Sequence, residues 1–164
     1  MIAKKICLLG SFAVGKTSLV RRFTESIYDE KYQTTIGVKI DKKLMSIDDQ
    51  TMQLMIWDME GNDEFNHHRS SYLRGAAGYF LVADTTRPDS LAIVTELQRE
   101  IEQQLGKVPF LLLLSKTDLR NERRLDQNEV SLLIDRNWQI LETSAKTGLN
   151  VDLAFETLAK QLLK

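Results

Sequence analysis

The sequence predicts an α/β fold of three layers, built on a six-stranded and mostly parallel sheet with one antiparallel edge strand. Three observations predict it. Short apolar runs alternate with segments of helical period, the order that buries a parallel sheet between two helical layers. Two strand-like stretches are joined only by Asp48-Asp49-Gln50, a connection short enough for an antiparallel hairpin. No linker, repeat or shift of composition divides the 164 residues, 43% of which are hydrophobic, so residues 1–164 are expected to form one domain around one sizeable core.

Taken in order, residues 2–9 form an apolar run that ends at Gly10 and reads as a buried strand. A glycine-bracketed turn leads into a helix over residues 16–26, with Leu19, Phe23 and Ile27 recurring every four residues on one face. A polar loop runs to Gly37, and residues 38–47 and 51–58 make the hairpin. Residues 59–74 are polar and weakly periodic, which suggests a mobile connection; residues 79–83 are a buried strand ending at Asp84. Pro88-Asp89 suits the first turn of a helix that Gly106 ends, with Leu91, Val94, Leu97, Ile101 and Leu105 as its core stripe. After a strand over 110–114, a charged loop with Glu122-Arg123-Arg124 leads to a helix over 126–137 and a brief strand over 139–141. Asn150 is expected to cap the last helix, whose Val151, Ala154, Phe155, Leu158 and Leu162 face inward.

The charge balance, 22 basic against 23 acidic residues, gives no electrostatic reason to bind nucleic acid. The single cysteine, Cys7, lies in an apolar run and fits a core position in a reducing compartment; it excludes an internal disulfide or a cysteine zinc site. The apolar stretch after Lys4 and Lys5 is too short for a signal peptide or a membrane span, so a cytoplasmic protein is expected.

The chemistry begins at Gly10-Ser11-Phe12-Ala13-Val14-Gly15-Lys16-Thr17, a phosphate-loop pattern placed after a strand and before a helix. Its glycines let backbone N–H groups turn to an anion, Lys16 adds a point charge, the helix presents its positive end, and Thr17 offers a hydroxyl to Mg²⁺. Asp58 ends an apolar strand, where its carboxylate can hold a metal-bound water; Gly61, three positions on, can bring its N–H to a terminal phosphate. Ser115-Lys116-Thr117-Asp118 and Thr143-Ser144-Ala145-Lys146 each follow a strand. Asp118 could accept the N1–H and 2-amino group of guanine, a pairing adenine cannot supply, while the stem of Lys116 covers the ring. Alone each reads as a turn; their order and spacing give them meaning.

Over essentially all 164 residues the chain resembles the Ras superfamily of small GTPases, and its Rab branch most closely. The phosphate loop, Thr34-Thr35-Ile36-Gly37-Val38, Trp57-Asp58 with Gly61, Tyr72-Leu73-Arg74-Gly75-Ala76, Lys116 with Asp118, Ser144-Ala145-Lys146 and Asn150-Val151 are all in register. The resemblance implies a monomeric GTP/GDP switch with bound Mg²⁺, meeting effector, exchange-factor and activating proteins through segments 27–38 and 59–75 in trafficking or signalling. It implies nucleotide contacts from Phe12, Ala13, Val14, Gly15, Lys16, Thr17 and Ser18, from Tyr28 at the edge of the base, and from Ser115, Lys116, Asp118, Ser144, Ala145 and Lys146 around it. Thr17, Thr35 and Asp58 would hold the metal; Lys16, Thr35, Gly61 and Asn62 would form the catalytic group. Membrane association is expected only if a lipidated tail is missing from this chain.

Four departures from that pattern stand out. Phe12 replaces a small residue beside the γ-phosphate, Met59-Glu60 replaces Thr-Ala, Asn62 replaces the water-orienting glutamine, and Ser115 replaces asparagine. Glu60 would either repel phosphate or add a metal contact. Phe12 and Asn62 predict slow hydrolysis, and they keep a second reading open: a scaffold that holds GTP without useful turnover. A phosphate-loop kinase or ATPase is a third reading, opposed by the guanine-reading residues.

Overall fold

The computed structural model describes residues 1–25, 37–59 and 69–164. Its elements in chain order are β1 (Ile2–Leu9), α1 (Lys16–Glu25), β2 (Val38–Ile47), β3 (Gln50–Met59), α2 (Arg69–Leu73), β4 (Gly78–Asp84), α3 (Pro88–Leu105), β5 (Phe110–Ser115), α4 (Gln127–Asp135), β6 (Ile140–Glu142) and α5 (Val151–Leu162). The strands form one six-stranded sheet in the order β2-β3-β1-β4-β5-β6. Only β2 and β3 pair antiparallel; the other neighbours are parallel, as the alternation of apolar runs and helical periods predicts.

The period of two along β4 sorts its side chains between two cores. Phe80 and Val82 join Leu19 and Phe23 of α1 and Phe155 and Leu158 of α5 on one face. Tyr79, Leu81 and Ala83 join Leu91, Val94 and Ile101 of α3 and Val130 and Leu133 of α4 on the other. All seven residues of β4 are buried, as a strand covered on both faces must be. Phe23 stacks on Phe155 with ring centroids 3.9 Å apart, which locks α1 to α5. Cys7 is buried in the second core, and burial pushes its thiol pKa up to about 12. No described helix is long and apolar enough to cross a membrane.

Several boundaries differ from expectation for local physical reasons. Asp48 and Asp49 both have positive φ, 48° and 65°, which makes the hairpin connection a two-residue turn and starts β3 at Gln50. Within the polar stretch 59–74, the buried pair Tyr72 and Leu73 anchors the short α2, too short to show a period. The charged loop contains a 3-10 turn, Arg120–Glu122, and its Arg123 pairs with Glu142. The helix expected over 126–137 is shorter: Asp126 caps it by accepting the Asn128 N–H at 2.8 Å, and Asn137 lies beyond it at φ 67°. The last strand falls one residue later than expected. Asn150 does not cap α5 with its side chain. It occupies a left-handed position at φ 56°, and its amide donates instead to the Glu142 carbonyl at 2.8 Å. Ile27 lies outside the described residues.

Candidate functional site

The carboxyl ends of β1, β3, β4, β5 and β6 share one edge of the sheet, and the loops leaving them converge there, where open parallel sheets take ligands. The loop after β1 is shaped by its glycines. A Cβ on Gly10 would lie 2.5 Å from the carbonyl oxygen of Val82, so only glycine lets the loop pass β4 this closely. Gly15 has φ +104° and Ala13 φ 62°; left-handed residues of this kind turn backbone N–H groups toward one concavity, just ahead of the N-terminus of α1. The Val14 side chain is buried in the core, so this residue faces the site with its backbone alone.

Lys16, only 6% exposed, donates from its ammonium to the carbonyls of Gly10 at 3.1 Å and Ser11 at 3.3 Å. Burial pulls its pKa down to about 8; Asp58 opposes the shift and Arg87 adds to it. A buried cation beside a run of backbone N–H groups is suited to a polyphosphate. Thr17 donates its hydroxyl to Asp58 Oδ2 at 2.5 Å, joining the start of α1 to the end of β3. Among the described residues no three His, Cys, Asp or Glu gather to hold a metal. A hydroxyl and one carboxylate are hard oxygen donors, and they fit Mg²⁺, which takes few protein ligands and completes its shell with phosphate and water.

Beyond α1 opens a cavity of about 330 Å³ whose lining includes Gly15, Ser18, Lys116, Asp118, Ala145 and Lys146. Three strand ends assemble it. Lys116, at φ 61°, sends its ammonium to the Ala13 carbonyl at 3.0 Å and to Asp84 Oδ2 at 2.8 Å, which stretches its stem along the cavity. Ser144 donates to Asp118 Oδ1 at 2.8 Å and so fixes the plane of that carboxylate. Thr117 ties the two loops through the Thr143 carbonyl at 2.9 Å. Ser115 is buried and donates to the Val14 carbonyl at 2.6 Å, so the departure at this position still links β5 to the phosphate loop.

The structure thus brings together Ala13, Gly15, Lys16, Thr17, Ser18, Asp58, Ser115, Lys116, Asp118, Ser144, Ala145 and Lys146. The Phe12 side chain is 47% exposed. Tyr28, Thr35, Glu60, Gly61 and Asn62 lie outside the described residues. Two residues escaped the sequence reading. Asp84 is fully buried and accepts from Thr86 as well as pairing with Lys116. Arg87 bonds to Ser11 and Phe12. The placement of Asp84 at a strand end was its only signal; Arg87 gave none.

A parallel sheet with a phosphate loop after its first strand, and a base-sized cavity beside it, defines a phosphate-loop nucleotide-binding fold. The chain belongs to the Ras family, whose family model matches residues 5–164, and it is Rab-like. It is 38% identical over 161 residues to Ras-related protein Rab-1 of Theileria parva, covering 96% of this chain and 73% of that one. To Ras-related protein Rab-1D of Dictyostelium discoideum it is 37% identical over 160 residues, covering 96% and 78%. Proteins of this family are GTPases that bind guanine nucleotide with Mg²⁺ and work through regulator and effector proteins.

Proposed function

We propose that the protein is a GTP/GDP switch with slow intrinsic hydrolysis that acts through effector proteins in trafficking or signalling. The observation that carries this reading is one edge of the sheet with two differently built ends: Lys16 and the Thr17–Asp58 pair at one, and Asp118 oriented by Ser144 at the other. Lys16 and the loop N–H groups neutralise phosphate charge, and Asp118 selects guanine. Thr17 and Asp58, with Thr35, would hold Mg²⁺, which would supply charge stabilisation for phosphate transfer. In the family's sequence pattern Asn62 replaces the glutamine that orients water for attack on the γ-phosphorus, a reaction that consumes one water and yields GDP and phosphate. It is one methylene shorter than glutamine, and a misplacement of roughly 1 Å can cost about 100-fold. Segments 27–38 and 59–75 would be the surfaces that effector, exchange-factor and activating proteins read.

The test is single-turnover hydrolysis by wild type, Asn62→Gln, Phe12→Gly and Glu60→Ala. We expect a slow wild type, acceleration by Asn62→Gln, and an effect of Phe12→Gly mainly when an activating protein supplies an arginine. A fast wild type that Asn62→Gln slows would overturn the assignment. Phe12 and Asn62 also favour a second reading, a GTP-holding scaffold, which total absence of released phosphate would support. Guanine selectivity is tested apart from turnover: Asp118→Asn should shift preference to xanthine nucleotides, because an amide can donate to the 2-oxo group. Equal displacement of bound GDP by ATP and GTP would instead point to a kinase or ATPase.

A further inference from the structure

Arg87 immediately precedes the proline that opens α3, and none of the nucleotide-site motifs includes it. Its guanidinium nevertheless reaches the first half of the phosphate loop, where Nη1 donates to the Phe12 carbonyl at 2.6 Å and Nη2 to the Ser11 hydroxyl at 2.7 Å. The backbone that carries it is held at both groups: the Arg87 N–H donates to the Asp84 carbonyl at 3.0 Å, and its carbonyl accepts from buried Ser90 at 2.6 Å. This is a placed side chain on a fixed turn.

The part of the loop that Arg87 grips adjoins the part that Lys16 occupies. Lys16 lies against the carbonyls of Gly10 and Ser11, and Arg87 holds the Ser11 hydroxyl and the Phe12 carbonyl, so the two cations meet the loop at a shared residue. The base-facing cavity with Asp118 and Ala145 does not include it. Both acceptors of the guanidinium are neutral, a hydroxyl and a carbonyl, so its charge is not cancelled by a carboxylate in either bond. Two cations fastened to the first half of one phosphate loop make an electrostatic site for an anion richer than a diphosphate.

We propose that Arg87 is a resident cation for the terminal phosphate: a positioning residue that braces the loop at Ser11 and Phe12 and tips the site toward guanosine triphosphate over diphosphate. It supplies from within the chain part of the charge that an activating protein otherwise inserts as an arginine. The inference rests on the GTP-binding reading above.

The experiment compares the dissociation constants of GDP and a β,γ-imido GTP analogue, with Mg²⁺, at low and high salt, for wild type, Arg87→Ala, Arg87→Gln and Arg87→Lys. Glutamine keeps a donor for Ser11 and Phe12 without the charge, and lysine keeps the charge without the fork. The triphosphate-to-diphosphate preference should fall about fivefold in the alanine and glutamine variants, hold in the lysine variant, and lose salt dependence only where the charge is gone. A preference unchanged in both uncharged variants, with a lowered melting temperature, would make Arg87 a structural brace and overturn the inference alone. A wild type that binds neither nucleotide would overturn the proposed function, and this inference with it.

Discussion

Lys16 keeps its ammonium against the Gly10 and Ser11 carbonyls while burial holds its pKa at about 8, against 10.5 for the ordinary group. Between those values the unfolded chain binds more protons than the fold. The nucleotide-free protein therefore gains stability from this residue as pH rises through that window, and below about pH 8 the burial penalty is present in full. The melting temperature of nucleotide-free wild type, less that of Lys16→Met, should increase from about pH 8 to about pH 10. Parallel curves would mean that the ammonium is solvated. The difference is needed because the Cys7 thiol works in the opposite sense: burial raises its pKa from 9.0 to about 12, so the fold loses stability as pH climbs past 9.0. At this scale the motif residues were legible in the sequence because each sits at a fixed spacing beside a strand end. Asp84 and Arg87 were not, because their partners lie 32 and 75 residues away and meet them only once β4 is inserted between β1 and β5.

The phosphate loop connects β1 to α1, and its two bracketing glycines are required for different reasons. At Gly10 an added Cβ would press on the Val82 carbonyl at 2.5 Å and on the Val14 side chain at 3.0 Å, and Val82 cannot yield in the centre of the sheet. At Gly15 an added Cβ meets nothing within 4 Å, and only the φ of +104° resists it. Gly10→Ala should therefore cost about 2–3 kcal/mol and Gly15→Ala roughly 1–2 kcal/mol, read from denaturant midpoints. An order reversed between the two would show that loop strain outweighs the clash. The same distinction explains what the sequence concealed about its elements. The longer helices announced themselves by period. The two apolar residues of α2 are too few to form a stripe, and Asn150 reads as a cap until β6 is seen to offer its amide a carbonyl.

For the whole molecule, the mostly parallel six-stranded sheet with its antiparallel edge was legible in the alternation of apolar runs with helices and in one short connection, whereas the strand order was not, because periodicity does not say which strands become neighbours. The site was legible wherever it rests on those strand ends. Its remaining parts, Tyr28, Thr35, Gly61 and Asn62, belong to segments outside the described residues. Both segments flank the β2–β3 hairpin, so a ligand contact made by either can be felt by the other through one antiparallel pair. Hydrogen exchange should show segments 27–38 and 59–75 protected with a non-hydrolysable GTP analogue and less protected with GDP, the rest of the sheet remaining unchanged. Equal exchange in the two states would describe a rigid binder.

The Lys5 ammonium lies over the ring of Trp57, 3.6 Å from its centroid, and Tyr72 meets the same ring in a T-shaped contact, while the next residue, Asp58, bonds to Thr17. The other tryptophan, Trp138, packs edge-on to Phe110 beside β6. An indole's emission depends on the cations and dipoles around it, so the protein carries its own optical label one residue from the carboxylate that accepts from Thr17. In a Trp138→Phe background excited beyond the absorption of the four tyrosines, the indole emission comes from Trp57 alone, and it should shift on loading or exchange so that nucleotide state is followed without a dye; an unchanged emission would mean that the Thr17–Asp58 pair does not respond to nucleotide.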